Sequence, residues 1–152
     1  MAVTIKKNES ERGQSLVELG SSLVLLLIML AGIVDLGRLF MNVMAIRDAV
    51  QEGALYGSMY PTHCDQIVER AYEAARGSFV GAKDTEVDVY IDGVACKSAT
   101  AVQACAGKEI KVVLRQPDFP ITMPFIGAFI GQSIPLRSEI TNTILRPNCD
   151  GN

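Results

Sequence analysis

The chain has 152 residues, of which 49% are hydrophobic and 20% charged, and its formal net charge is −3. This length holds one small domain beside one apolar segment, and not two domains. The acidic balance, with no cluster of Lys and Arg among aromatic residues, excludes a typical nucleic-acid-binding surface.

A short polar leader, residues 1–13, precedes a long apolar run. The leader contains three basic residues, and the positive-inside bias therefore predicts that this flank stays in the cytoplasm. Residues 16–34 are almost all apolar or small. At 1.5 Å rise per residue this run makes a helix of about 28 Å, close to the thickness of a bilayer core. We therefore predict a single transmembrane helix.

The junction of the leader and the apolar run carries Gly13 and, five residues later, the acid Glu18. This spacing at the head of a long apolar helix is the pattern that type IV prepilin peptidases cleave. The cut would fall after Gly13 and leave Gln14 as the new N-terminus. A secretory signal peptide would instead place a small-residue site after the run, and the residues following Val34 contain none. Glu18 alone is uninformative, because an acid near the end of a span reaches the interface at modest cost.

The helical pattern continues beyond the span. Apolar residues recur at steps of three and four, with polar residues such as Asn42 on other faces, until Gly57 and Pro61 end the pattern. We predict one continuous rod from about residue 14 to 58, roughly 65 Å long, within an N-terminal unit of residues 14–60. Its apolar stripe is expected to pack on the C-terminal domain and to meet neighbouring subunits.

Asp35 and Arg38 lie three residues apart, directly after the span. At that spacing they share one helix face and form an ion pair, which is worth only about 0.2–0.5 kcal/mol when exposed. We therefore expect this pair to mark the outer boundary of the membrane and not to stabilise the fold.

The remaining residues, 61–152, are predicted to form one extracytoplasmic α+β domain. An amphipathic helix is expected at 65–76, with Asp65 as its capping residue. Three segments alternate apolar and polar residues and are expected to be strands: 86–91, 109–114 and 134–145. Alternation indicates a small antiparallel sheet with one covered face, and the second helix and the upper rod are the available cover.

All four cysteines lie beyond the span, in a compartment that is oxidising if the leader is cytoplasmic, so disulfides are expected. We predict Cys96–Cys105, which would close a hairpin loop, and Cys64–Cys149, which would tie the end of the rod to the C-terminal tail. No C-x-x-C occurs and His63 is the single histidine, so a zinc site is disfavoured and no metal site is expected.

An apolar stretch at 116–131 contains three prolines and is too short to span a membrane. As a loop it would expose an apolar patch that contacts membrane or protein. The alternative, a loop folded back onto the core, stays open.

The sequence offers little support for an enzyme. It has no G-x-S-x-G motif and no P-loop. Asp88 and Glu109 are the candidates for a pair of catalytic acids, but acids that face outward from alternating strands are usually only solvated. We expect no catalytic residues, no cofactor and no small-molecule substrate.

Residues 12–18, 32–40 and 49–57 together resemble the TadE-like family of tight-adherence (Tad, or Flp) pilus proteins. The stretch from Met123 to Ile140 resembles the apolar loop and last strand of that family. The resemblance implies a pilin-like subunit that a dedicated prepilin peptidase cleaves and that pilus assembly, adhesion and surface colonisation require. The sequence departs from the pattern by having Gly20, Ser21 and Ser22 where relatives often have a proline.

We therefore predict a non-enzymatic minor pilin or pseudopilin of a Tad-type pilus, in the bacterial inner membrane with its N-terminus cytoplasmic, or in a cell-surface pilus. Its expected partners are a prepilin peptidase, other pilin-like subunits, the Tad inner-membrane assembly platform and membrane lipid. One alternative is a pseudopilin of a type II secretion system. Another is a membrane-anchored binding module that never polymerises and keeps its leader.

Glu18 is expected to act in assembly. After cleavage, the amine of Gln14 is largely cationic at neutral pH, unless the glutamine cyclises. Pairing that amine with Glu18 of a neighbouring subunit offers about 4 kcal/mol at 4 Å and an effective dielectric constant near 20. A pair within one chain is the alternative, because the two residues lie one helical turn apart.

Overall fold

The computed structural model describes residues 10–76, 85–121, 131–147 and 149. Most of the predicted leader and residues 122–130 of the predicted apolar loop therefore lie outside the described residues. Within the described parts, the chain forms two α-helices, a short 3-10 helix at Cys96–Ser98 and one four-stranded antiparallel sheet. The predicted α+β layout, with a long N-terminal helix, one further helix and a small sheet, is confirmed.

Helix α1 spans Ser10–Met59 and is 50 residues long, about 75 Å at the standard rise. An 18-residue window of this helix has a mean hydropathy of 2.3 and none of it is buried, so α1 is long and apolar enough to cross a membrane. The helix ends before Pro61, which is fully buried. The backbone N–H of Leu145 donates to the Ser58 carbonyl at 2.8 Å, and this bond satisfies one of the carbonyls that a helix end leaves free.

Helix α2, Cys64–Arg76, is amphipathic as predicted, with Ile67, Ala71 and Ala75 buried. It packs against the upper part of α1, where two glycines permit close approach. A β-carbon added at Gly53 would lie 3.2 Å from the Ala71 β-carbon, and one added at Gly57 would collide with the side chain of Ile110. These glycines therefore set the distance between α1, α2 and the sheet, rather than merely weakening the helix.

The sheet has the order β2-β1-β3-β4, and each neighbouring pair is antiparallel. Its strands are β1 Glu86–Ile91, β2 Val94–Ala95, β3 Glu109–Pro120 and β4 Ser133–Thr143. All three predicted strands are present. The sequence analysis missed β2, a short strand that follows a tight turn at Asp92 and Gly93, where both residues have positive φ. An Asp-Gly pair between two apolar strands is a strong hairpin signal, because this turn needs positive φ at both central positions.

Strand β3 is longer than predicted, and the interpretation of residues 116–120 as part of a loop is wrong. Gln116 pairs with Leu136 and Pro120 with Ser133, and a register irregularity lies between Gln116 and Phe119. Prolines fit into a strand at such irregularities, where a ladder hydrogen bond is already missing. Pro117 therefore lies at the irregularity, and Pro120 is the last residue of the strand.

The core lies between the sheet and the two helices. Helix α1 contacts β3 and β4, and α2 contacts α1 and β1. The fully buried core side chains include Ile46, Val50, Ile67, Ile91, Ile110, Val112, Leu114 and Ile144. The upper rod and the second helix therefore cover one face of the sheet, as the alternation of the strands predicted.

The predicted disulfide pairing is wrong. The bonds are Cys64–Cys96, with a Cα–Cα distance of 5.8 Å, and Cys105–Cys149, with 5.4 Å, and not Cys96–Cys105 and Cys64–Cys149. Both distances lie in the usual range for disulfides. The prediction assumed a single long hairpin after β1, whereas the chain turns back at once and forms β2 beside β1.

The Asp92–Gly93 turn provides the physical reason. It reverses the chain directly after β1, so that Cys96 lies at the outer edge of the sheet against the start of α2. Cys105 lies instead beside the C-terminal tail, where Ala106 N–H donates to the Pro147 carbonyl at 2.7 Å. The predicted disulfide between the end of the rod and the tail is therefore wrong, and the end of α1 is joined to the residues after β4 by the backbone bond from Leu145 to Ser58.

Candidate assembly helix

The lower part of α1 has no cover in the described structure. Every side chain from Gly13 to Leu30 is exposed, and the large apolar ones, such as Leu16 at 70% and Leu25 at 63%, present a continuous apolar surface. A surface of this size marks contact with membrane or with other protein. Glu18 is the one acid on this exposed segment, since the next acid along the helix is Asp35.

The stretch at Gly20, Ser21 and Ser22 does not interrupt α1. The Ser21 hydroxyl donates to the Glu18 carbonyl and the Ser22 hydroxyl to the Leu19 carbonyl, each at 3.0 Å. Hydroxyls that bond back to the preceding turn are satisfied without water, so they are tolerated in a membrane span. The weak helix formers that replace a proline here therefore leave the helix continuous.

The predicted cleavage site lies within the first turns of α1, because the helix begins at Ser10. A β-carbon added at Gly13 would meet nothing within 4 Å, so the fold of the described residues gives no reason for a glycine there. Gln14 and Glu18 are four residues apart, about 6 Å along the helix axis, and lie on one face. The roles of Gly13, Gln14 and Glu18 in processing and assembly stay predictions.

Asp35 and Arg38 lie where the sheet begins to cover α1. Their charged groups are 3.6 Å apart, and the Asp35 side chain is only 16% exposed. The Arg38 guanidinium also lies 6.0 Å from the centre of the Phe119 ring in β3, within reach of a cation–π contact. The sequence analysis missed Phe119, since nothing local to Arg38 indicates a partner so far along the chain. The role of the pair as a membrane boundary stays a prediction.

This helix also carries the likeness to known proteins. Residues 13–55 match the family model of TadE-like proteins. The resemblance predicted from the sequence is thereby confirmed for this TadE-like segment, which coincides with most of α1. No curated protein and no solved structure matches the chain. The match is confined to this segment and does not extend into α2 or the sheet.

Beyond the Asp35–Arg38 pair, the TadE-like segment has two apolar stripes and not the single stripe predicted. One packs on the domain through Ile46 and Val50. The other is exposed and consists of residues spaced by three and four, Leu36, Phe40, Val43 and Met44. Beyond it, exposed polar residues follow on the same side at 47, 48, 51 and 52. An apolar surface therefore continues from the predicted span for about three turns beyond Val34.

A buried amide pair joins the TadE-like segment to the sheet. Asn42, which the sequence analysis placed on a polar face, is 0% exposed, and Gln116 is 4% exposed. The Asn42 Nδ2 donates to Gln116 Oε1 at 2.7 Å. Within the described part of the chain, the Asn42 Oδ1 atom has no hydrogen-bond partner. Buried polar atoms are nearly always paired, so this pair is a costly feature of the packing between α1 and β3.

The two acids considered for catalysis are not brought together. Asp88 pairs with Arg115 at 2.6 Å and lies opposite Val113 in the sheet. Glu109 is four residues from Val113 on β3, about 13 Å along the strand. The outer face of the sheet instead carries ion pairs, and hydrogen bonds from Lys111 and then Arg137 hold the pKa of Glu139 below its ordinary value.

Proposed function

We propose that this chain is a pilin-like subunit of a Tad-type pilus, inserted through the lower part of α1, cleaved after Gly13 and assembled through the same helix. One observation carries the proposal: the segment that matches TadE-like proteins, residues 13–55, is a single helix whose first 18 residues, 13–30, are all exposed. A helix that leaves its most apolar half uncovered needs lipid before assembly and other helices after it.

The proposed topology in the membrane follows from the basic leader and from the disulfides. The basic leader lies in the cytoplasm, the span crosses the bacterial inner membrane once, and the disulfide-bonded domain lies outside. The proposed partners are a prepilin peptidase, other pilin-like subunits and the Tad inner-membrane platform. The subunit is structural and not catalytic in this proposal.

Glu18 has a specific role in the proposed assembly. Lateral packing of subunits removes Glu18 and the new amine of Gln14 from the water at the membrane edge, and an unpaired buried charge costs several kcal/mol. Pairing the amine of an incoming subunit with Glu18 of its neighbour offsets that cost. The exposed position of Glu18 on α1 leaves it accessible to such a neighbour.

The experiment compares Glu18→Ala with Leu19→Ala in cells that assemble the pilus. Both changes lie on the exposed lower helix, so both variants should insert and be cleaved. We expect Glu18→Ala to be lost from sheared pili and from complexes with the other subunits, and Leu19→Ala to be retained. Normal incorporation of Glu18→Ala would refute the role of Glu18. A Glu18→Ala variant that fails to insert or to be cleaved would refute the assignment of that role to assembly.

A further inference from the structure

A groove of about 350 Å³ lies between α1 and the sheet, at the end of the domain that faces the span. Its helix side is formed by Gly32, Asp35, Leu36 and Leu39, and its sheet side by Phe119, Ile121 and Ile134. All but one of these residues are apolar or glycine. An apolar groove open to water is unfavourable, so something other than bulk water is expected to cover it.

We propose that the groove holds an acyl chain of a lipid in the outer leaflet, so that the end of β3 at Pro120 and the start of β4 at Ser133 lie at the membrane surface. This inference rests on the proposed insertion of α1. It adds a lipid-binding site in the folded domain, where the sequence predicted only a span followed by an extracytoplasmic domain.

The groove is continuous with the predicted span. Gly32 lies in the last turn of the predicted span, residues 16–34, and also forms part of the groove. The side chains of Ile33 and Val34, its neighbours on α1, are 65% and 53% exposed and face lipid in an inserted helix. Because the sheet side of the groove contacts the helix at the same level, a lipid beside Gly32 is also beside Ile134.

Charged groups lie only at the upper edge of the groove among its described lining residues. The Asp35–Arg38 pair lies at one edge of the groove, and Arg38 reaches over Phe119. A charged group that reaches the lipid headgroups stays hydrated, whereas a charged group inside the acyl region costs free energy. The polar boundary therefore lies one turn above Gly32, which places the opening of the groove at the upper acyl region.

The segment that connects β3 to β4 starts and ends beside the groove. Ile121 directly follows β3, and its N–H donates to the Gln132 carbonyl at 3.0 Å, so the chain leaves and returns beside the groove. Residues 122–130 carry no charge.

A second copy of the chain would have to approach through this same level of the bilayer, where lipid is already present at far higher concentration.

The absence of tryptophan from the chain makes the test direct. Single tryptophans are introduced into the full-length protein at Ile134 in the groove, at Leu27 in the span, and at Val102. Val102 is 75% exposed and lies in the loop beyond the far end of α1. Each variant is reconstituted into phosphatidylcholine vesicles whose acyl chains carry bromine, either near the headgroup or near the chain end. Formation of both disulfides, measured by mass, reports folding, and Ile121→Trp replaces Ile134→Trp if the latter does not fold.

We expect loss of Ile134→Trp emission with bromine near the headgroup, loss of Leu27→Trp emission with deeper bromine, and no loss for Val102→Trp. An unquenched Ile134→Trp beside a quenched Leu27→Trp would overturn the lipid site and leave insertion intact. Emission that is blue-shifted, unquenched and dependent on the protein-to-lipid ratio would identify a second copy as the occupant, and independence of that ratio would identify the chain itself. An unquenched Leu27→Trp would overturn insertion and the lipid site together.

Discussion

The buried amide pair between α1 and β3 predicts that two harmful substitutions cancel when combined. The amide of Asn42 donates to Gln116 at 2.7 Å, and its own oxygen has no partner among the described residues. Gln116→Leu leaves the whole Asn42 amide buried and unpaired. Because an unpaired buried polar group costs about 1–3 kcal/mol, we expect this variant to lower the free energy of unfolding by about 2 kcal/mol. Asn42→Leu removes the donor to the Gln116 Oε1 atom, and we expect a similar loss.

The double variant removes both amides. Replacing both partners with apolar groups of similar size is nearly neutral or stabilising. The unpaired Asn42 oxygen of the natural protein disappears as well, so we expect the Asn42→Leu, Gln116→Leu protein to be at least as stable as the natural protein. The coupling energy between the two positions is then at least about 2 kcal/mol, within the range for residues in direct contact.

The assay is pulse proteolysis of the four full-length proteins in detergent after equilibration in urea, which reports the unfolded fraction. Gln51→Leu is the control, since Gln51 is exposed on the same helix and its loss should change stability by less than about 0.5 kcal/mol. If the double variant loses the sum of the two single losses, the amides do not form a coupled pair and the reasoning is wrong.

Three further predictions concern processing, disulfides and helix packing. Gly13→Leu should block leader removal without harming the fold, because a β-carbon there meets nothing; a variant that runs at the mature size on a gel would show that the cleavage site is wrong. The Cys64–Cys96 and Cys105–Cys149 bonds close loops with sequence separations of 32 and 44, and by chain entropy they should add about 3.7 and about 4.0 kcal/mol, respectively, to the free energy of unfolding. Cys64→Ser and Cys105→Ser should therefore destabilise the domain almost equally in urea titrations. A large difference between the two variants would count against the loop model. Gly57→Ala places a β-carbon against buried Ile110 and should lower the free energy of unfolding by about 1–3 kcal/mol. Gly37→Ala adds a β-carbon in open space and should raise the free energy of unfolding by about 0.5–1 kcal/mol. Equal effects of the two variants on the unfolding midpoint would show that close packing at Gly57 is unimportant.

The sequence predicts those parts of the fold that depend on local pattern. The apolar run and the three- and four-residue steps after it predict α1, and Asp65 followed by an amphipathic stretch predicts α2. Alternation predicts the three longer strands. The short strand β2 was also within reach, since the turn signal at Asp92 and Gly93 is local.

The parts that the sequence analysis missed depend on contacts between distant residues. Four cysteines allow three pairings, and sequence alone does not choose among them. Asn42 is polar at a helix position and has no local sign of burial, because its partner Gln116 lies 74 residues away. The same separation hides the contact between Arg38 and Phe119. For the candidate site, the pattern of Gly13 and Glu18 is local and visible, while the groove beside Gly32 requires the β3–β4 hairpin to be in place.

The intact mass of the protein purified without reduction from its native membrane tests the central claim most directly. We expect a chain that begins at Gln14 and contains two disulfides, and the remaining mass difference shows whether Gln14 is free, methylated or cyclised. A mass that includes residues 1–13 would contradict cleavage after Gly13, and with it the proposal that this protein is a processed pilin-like subunit.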